Sequence, residues 1–167
     1  MNRTPAALLA ASAAAVLLAT GCGSSKSDGK PSTPRATAGD AAGTFTALAA
    51  KVPSAKLGGI VTADSDPNHL LGRPGQYTSK VTFTDTRVKP GDTDGLDADD
   101  VSRGGAIEQF AKPDEAAARA QYIQAVTKGM AALAEYDYVH DTAVIRVSHY
   151  LTPAQAGEYE TAAKNLP

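Results

Sequence analysis

Between residues 77 and 166 the spacing of apolar positions changes twice from two to three or four. In "YTSKVTFTDTRV" (77–88), Tyr77, Ser79, Val81 and Phe83 fall on one side and Thr78, Lys80, Thr82 and Thr84 on the other. That alternation predicts a strand of an antiparallel sheet with one face buried. "AIEQF" (106–110) predicts a second strand. "EAAARAQYIQAVTKGMAALAEY" (115–136) then carries Tyr122, Val126, Met130 and Leu133 at helical spacing, with Ile123 beside them and Asp114 as the expected cap. Gly129 weakens that helix by about 1 kcal/mol relative to alanine.

Two further strands, 136–139 and 143–147, are expected to form a hairpin turning at His140 and Asp141. The chain closes on "LTPAQAGEYETAAKNL" (151–166), where Thr152, Pro153 and Gln155 make a capping box with proline at the first helical position. Tyr159, Ala162, Ala163 and Leu166 share its inner side. Upstream, residues 45–52 read as a short helix stopped by Pro53, and residues 60–62 as a short strand. A connector punctuated by Pro67, Gly72, Pro74 and Gly75 follows. The order strand, strand, helix, strand, strand, helix predicts an α+β fold over residues 44–167. The simplest packing is a two-layer sandwich, a four-stranded and largely antiparallel sheet with both helices on one face.

Composition changes the picture mainly at the amino terminus. Residues 1–21 combine Arg3, an alanine- and leucine-rich run and small residues, the layout of an export signal, and the run is short for a membrane span. "LATGC" (18–22) ends on Cys22, the sole cysteine of the chain. It resembles the lipobox of bacterial lipoproteins, with Ala19 where leucine is usual; the resemblance implies diacylglyceryl attachment to the Cys22 thiol and cleavage before it. Two acyl chains, at about 0.8 kcal/mol per buried methylene, make such an anchor durable. Residues 22–43, rich in Gly, Ser, Thr, Pro and Ala, then read as a flexible tether.

A net charge of −2 leaves no basic stripe for phosphate backbones, so nucleic acid is not expected as a partner. No intrachain disulfide can form from one cysteine. Asp92, Asp94, Asp97, Asp99 and Asp100 are close in sequence, but the spacing puts Pro90 and Val101 where a calcium loop needs its first and last ligands. A solvated acidic loop is the plain reading, with weak Ca²⁺ binding by Asp92, Asp94, Asp97 and Asp99 as the alternative. His69, His140 and His149 are too scattered for a zinc site, and no cofactor is implied. No nucleophile elbow or phosphate-binding glycine loop is present, and Glu108 and Glu135 suit a hydrolase only by residue type. Exposed edge salt bridges are the expected role for both.

The segment "DPNHLLGRPGQYTSK" offers Leu70, Leu71, Arg73 and Tyr77 in a stretch stiffened by proline and glycine, and arginine with tyrosine is a frequent pairing at binding hot spots. Together with "GGAIEQF", "DEAAARAQYI", "EYDYV" and "VIRVSHYLTPAQAGEY", it resembles small lipoproteins of Gram-positive bacteria of the actinobacterial type over residues 66–166. The resemblance implies an anchored protein at the outer face of the cytoplasmic membrane and supplies no catalytic residue. The expectation is therefore a non-catalytic envelope binding module engaging an envelope protein, the alternatives being a small-ligand or lipid carrier and, third, a hydrolase.

Overall fold

Asp40 stops the chain from entering a helix early: its backbone is extended and its carboxylate accepts the Gly43 N–H at 2.7 Å. Helix α1 (Ala41–Ala49) follows, starting within the stretch read as tether, and Pro53 prevents its continuation. The computed structural model describes residues 39–167; the signal-like segment, Cys22 and the tether up to residue 38 lie outside them. Strand β1 (Ala55–Ile60) precedes the proline- and glycine-rich connector, and β2 (Ser79–Asp85) emerges from it. Strand β3 (Gly104–Gln109), helix α2 (Pro113–Thr127), the hairpin β4 (Glu135–His140) and β5 (Ala143–Ser148), and helix α3 (Pro153–Lys164) complete the chain. The expected capping box is formed, with Thr152 Oγ1 accepting from Gln155 N and Gln155 Oε1 accepting from Thr152 N.

The sheet is antiparallel throughout, in the order β1-β2-β3-β5-β4, so it has five strands where four were expected. The additional strand is β1; the short strand expected at 60–62 lies earlier and is longer. "AKLGGI" lacks a clear alternation, and its register against β2 shifts between Leu57 and Gly59, which blurs the two-residue period.

Helices cover both faces of the sheet, which corrects the one-sided sandwich. Val81, Phe83, Ile107, Ile145 and Val147 point to one face and pack with Phe45 and Leu48 of α1 and with Ala156, Tyr159 and Ala162 of α3. Phe83 sits between Phe45 and Tyr159, with ring centroids 5.7 and 5.5 Å away. Its ring lies over Gly105, its register partner, where a Cβ would collide with Phe83 and with the Arg146 carbonyl. The Tyr159 hydroxyl donates to Asp85 at 2.6 Å, and Arg87 and Ser54 satisfy the remainder of that buried carboxylate.

The opposite face carries Lys80, Thr82, Glu108, Val144 and Arg146 and is covered by α2 and by the connector before β2. Strand β2 is consequently buried on both sides, Lys80 and Thr82 included, where one solvated face was expected. Helix α2 ends at Thr127, not near residue 136, and turns Ala116, Ala120 and Ile123 inward. Tyr122, Val126, Met130 and Leu133, the expected inner side, are 40–61% exposed. The sheet beneath α2 is charged at its centre, so small side chains that admit a paired arginine fit there better than a stripe of large apolar ones.

Candidate functional site

The centre of that second face is an ionic cluster. Glu108 stands in the middle strand with no solvent exposure. Arg119, reaching down from α2, donates Nε to Oε2 at 2.7 Å and Nη2 to Oε1 at 3.1 Å. Arg146 of β5 donates Nη1 to Oε1 at 3.1 Å, and the Lys80 ammonium lies 3.7 Å from the same oxygen. Burial alone would push the Glu108 carboxyl up, but the Arg119 hydrogen bonds and the charges of Arg146, Arg119 and Lys80 outweigh it and hold the pKa below the usual range. Lys80 shifts down because burial, with help from Arg146 and Arg119, exceeds the attraction of Glu108 and Asp66.

The cluster extends in two directions. Toward the connector, Lys80 lies 3.9 Å from Asp66, whose carboxylate accepts the Tyr77 hydroxyl at 2.7 Å and the N–H groups of Leu70 and Leu71 at 2.8 and 2.9 Å. These bonds hold Asp66 ionised against the upward push of its burial, and they staple residues 66–77 onto the sheet. Tyr77 packs edge-on against Phe110 with centroids 6.1 Å apart. Toward the hairpin, Arg146 holds Glu135 through both oxygens at 2.9 Å. Asp137, the register partner of Arg146, has a buried Oδ1 with no hydrogen-bond partner. Burial, then the neighbouring Glu135 charge, raises its pKa to about 7 against a smaller opposing pull from Arg146. With Asp137 protonated, the cations of Lys80, Arg119 and Arg146 balance the carboxylates of Asp66, Glu108 and Glu135 one for one.

Above the cluster, between residues 66–77 and α2, runs a surface groove of about 500 Å³. Asn68, Leu70 and Gln76 line the connector side, and Glu115, Arg119 and Tyr122 the helix side. The Arg119 guanidinium lies 5.9 Å from the Tyr77 ring centroid and 5.8 Å from that of Tyr122. It therefore joins the buried charges below to the exposed aromatic above.

Of the four residues singled out in the sequence, the structure brings only Leu70 into the groove. Leu71 is partly buried and packs with the Tyr77–Phe110 cluster, Arg73 is exposed, and Tyr77 is completely buried. Tyr77 is thus a support rather than a contact, which corrects the pairing with Arg73. Glu108 and Glu135 occupy no exposed edge pair; both grip Arg146 across adjacent strands. The acidic loop is organised by Arg103, which donates to the carbonyls of Asp97, Leu96 and Thr93 at 2.8, 2.6 and 3.3 Å. Asp92, Asp94 and Asp97 point to solvent, and among the described residues no group of three or more His, Cys, Asp or Glu side chains could hold a metal.

Lys80, Arg119, Arg146, Asp66 and Asp137 were missed. The shared parity of Lys80 with Glu108's strand partners was readable once strands were paired, but contacts such as Arg146 with Glu108, 38 residues apart, leave no local signal. No protein-family model, curated protein or solved structure matches the chain.

Proposed function

We propose that the protein is a non-catalytic binding module of the cell envelope, anchored through Cys22 to the outer face of the cytoplasmic membrane, and that it binds through the groove between residues 66–77 and α2. The observation that carries this reading is the stapled connector. Asp66 fixes the Leu70 and Leu71 amides and the Tyr77 hydroxyl, so the groove wall is set before anything binds. A pre-set wall lowers the ordering cost of association. The export-like start, the lone cysteine and the polar stretch after it support the location.

Photo-crosslinkers placed at Gln76 in the groove and at Lys164 on the far helix, in the anchored full chain, test the site. Adducts from Gln76 and none from Lys164 are expected; equal labelling from both, or none from Gln76, overturns the groove as the binding site. In parallel, Cys22→Ala is expected to move the protein from the membrane fraction to the medium, and retention in the membrane fraction overturns the anchor.

A further inference from the structure

The charges in the groove limit what it can hold. An anion would meet the Glu115 carboxylate, while Arg119 already spends Nε and Nη2 on Glu108. A cation would find Glu115 next to Lys112, 4.0 Å away. The lining is thus close to self-compensated, and an uncharged ligand enters at the least electrostatic cost.

The polar groups that remain share one shape. The Gln76 amide and the Glu115 carboxylate are planar groups presenting two neighbouring polar atoms, and Arg119 adds Nη1, which Glu108 does not use. Such groups can bond two adjacent hydroxyls at once. The Gln76 amide offers a donor and an acceptor, which suits hydroxyls, themselves both donors and acceptors, while the Asn68 side chain is shared with the Tyr77 hydroxyl. Beside them stands Tyr122, 61% exposed. The face of its ring carries the negative part of the aromatic quadrupole and attracts polarised C–H groups. The nearby Arg119 guanidinium helps fix the ring's orientation.

A flat aromatic surrounded by planar hydrogen-bonding groups, without net charge, complements a pyranose ring, which has C–H groups on its faces and hydroxyls around its rim. Resting on the groove being the binding site, we infer that its ligand is a neutral oligosaccharide of gluco-configured pyranoses. In that configuration the ring hydroxyls are equatorial and leave the C–H face clear to lie on Tyr122. An open groove of about 500 Å³ suits a short stretch of such a chain.

The test is calorimetric titration of the full chain in detergent with cellotetraose and chitotetraose, using wild type, Tyr122→Ala and Tyr122→Phe. Binding of at least one oligosaccharide is expected, weakened about tenfold by Tyr122→Ala and restored by Tyr122→Phe, which keeps the ring. Unchanged thermal unfolding of Tyr122→Ala would assign the loss to the site. Binding that survives Tyr122→Ala undiminished overturns the inference, as does absence of binding to either oligosaccharide. In the latter case the crosslinker at Gln76 separates two failures. A polypeptide adduct keeps the groove and rejects the saccharide, whereas no adduct rejects both.

Discussion

Each face of the sheet buries an aspartate against a tyrosine, Asp85 with Tyr159 on one and Asp66 with Tyr77 on the other, and the surroundings give the two pairs different roles. Around Asp85 the face is otherwise apolar and aromatic, so the pair pins α3 to the end of β2, and among the described residues its only close cation is Arg87. Around Asp66 the face holds Lys80, Glu108, Arg119, Arg146, Glu135 and Asp137 and reaches a surface groove. One face is built from dispersion and area burial, which tolerate volume-conserving changes. The other is built from charges whose desolvation is repaid only while every partner is present. The difference teaches that both faces hold stability but respond to change in different ways, and that the candidate groove lies over the charged one.

The largest expected effect tests that contrast. Glu108→Ala leaves Arg119 without its carboxylate while Lys80 keeps Asp66 and Arg146 keeps Glu135, and is expected to cost about 3–5 kcal/mol, similar to about 3–5 kcal/mol for Phe83→Ala on the other face. The two should respond differently to a second change. Replacing Glu108 and Arg119 together by methionine should recover part of the loss, because one stranded charge goes with its partner. Denaturant midpoints of the single and double variants measure this coupling; strict additivity would contradict a cluster held by mutual charge compensation.

A smaller effect sharpens the electrostatic half of the comparison. Asp137 has a folded pKa raised to about 7 from 3.8, so the folded state holds a proton that the unfolded chain releases across that window. Its contribution to stability is full below about pH 4, falls as pH rises, and is gone above about pH 7. Asp137→Asn, which stays uncharged beside Glu135, should flatten this fall and leave the variant more stable than wild type at pH 8 by on the order of 1 kcal/mol. Unfolding midpoints at pH 5 and pH 8 decide it, and parallel slopes for the two proteins would reject the assignment.

The smallest effect concerns the helix above the charges. Tyr122→Ala should change stability by less than about 0.5 kcal/mol, since the ring is mostly exposed. A substantially larger loss on thermal unfolding would mean that Tyr122 belongs to the packing of α2 rather than to the groove.

Much of the fold was legible because its signals are local. The alternation in 77–88, the hairpin, whose turn falls at Asp141 and Thr142, one residue past the expected His140 and Asp141, and the Thr152–Gln155 box each lie within a few residues of the bonds they form. The groove was legible by half: Leu70 lines it, and the turn residues around it were read as a stiff segment. The helix half was not, because periodicity ranked Tyr122, Val126, Met130 and Leu133 by hydrophobicity and could not see that the surface below α2 was charged.

By itself the sequence determined the kinds of element, their order and the capping box that opens α3. These depend on backbone preferences and on periods within single segments. Only the tertiary structure decided that helices cover both faces, that β1 joins the sheet, which side of α2 turns inward, and that Lys80, Glu108, Arg119 and Arg146 meet. Those outcomes depend on desolvation and charge compensation among side chains brought together from separate segments. The free energy of each group is set by partners that are far away along the chain.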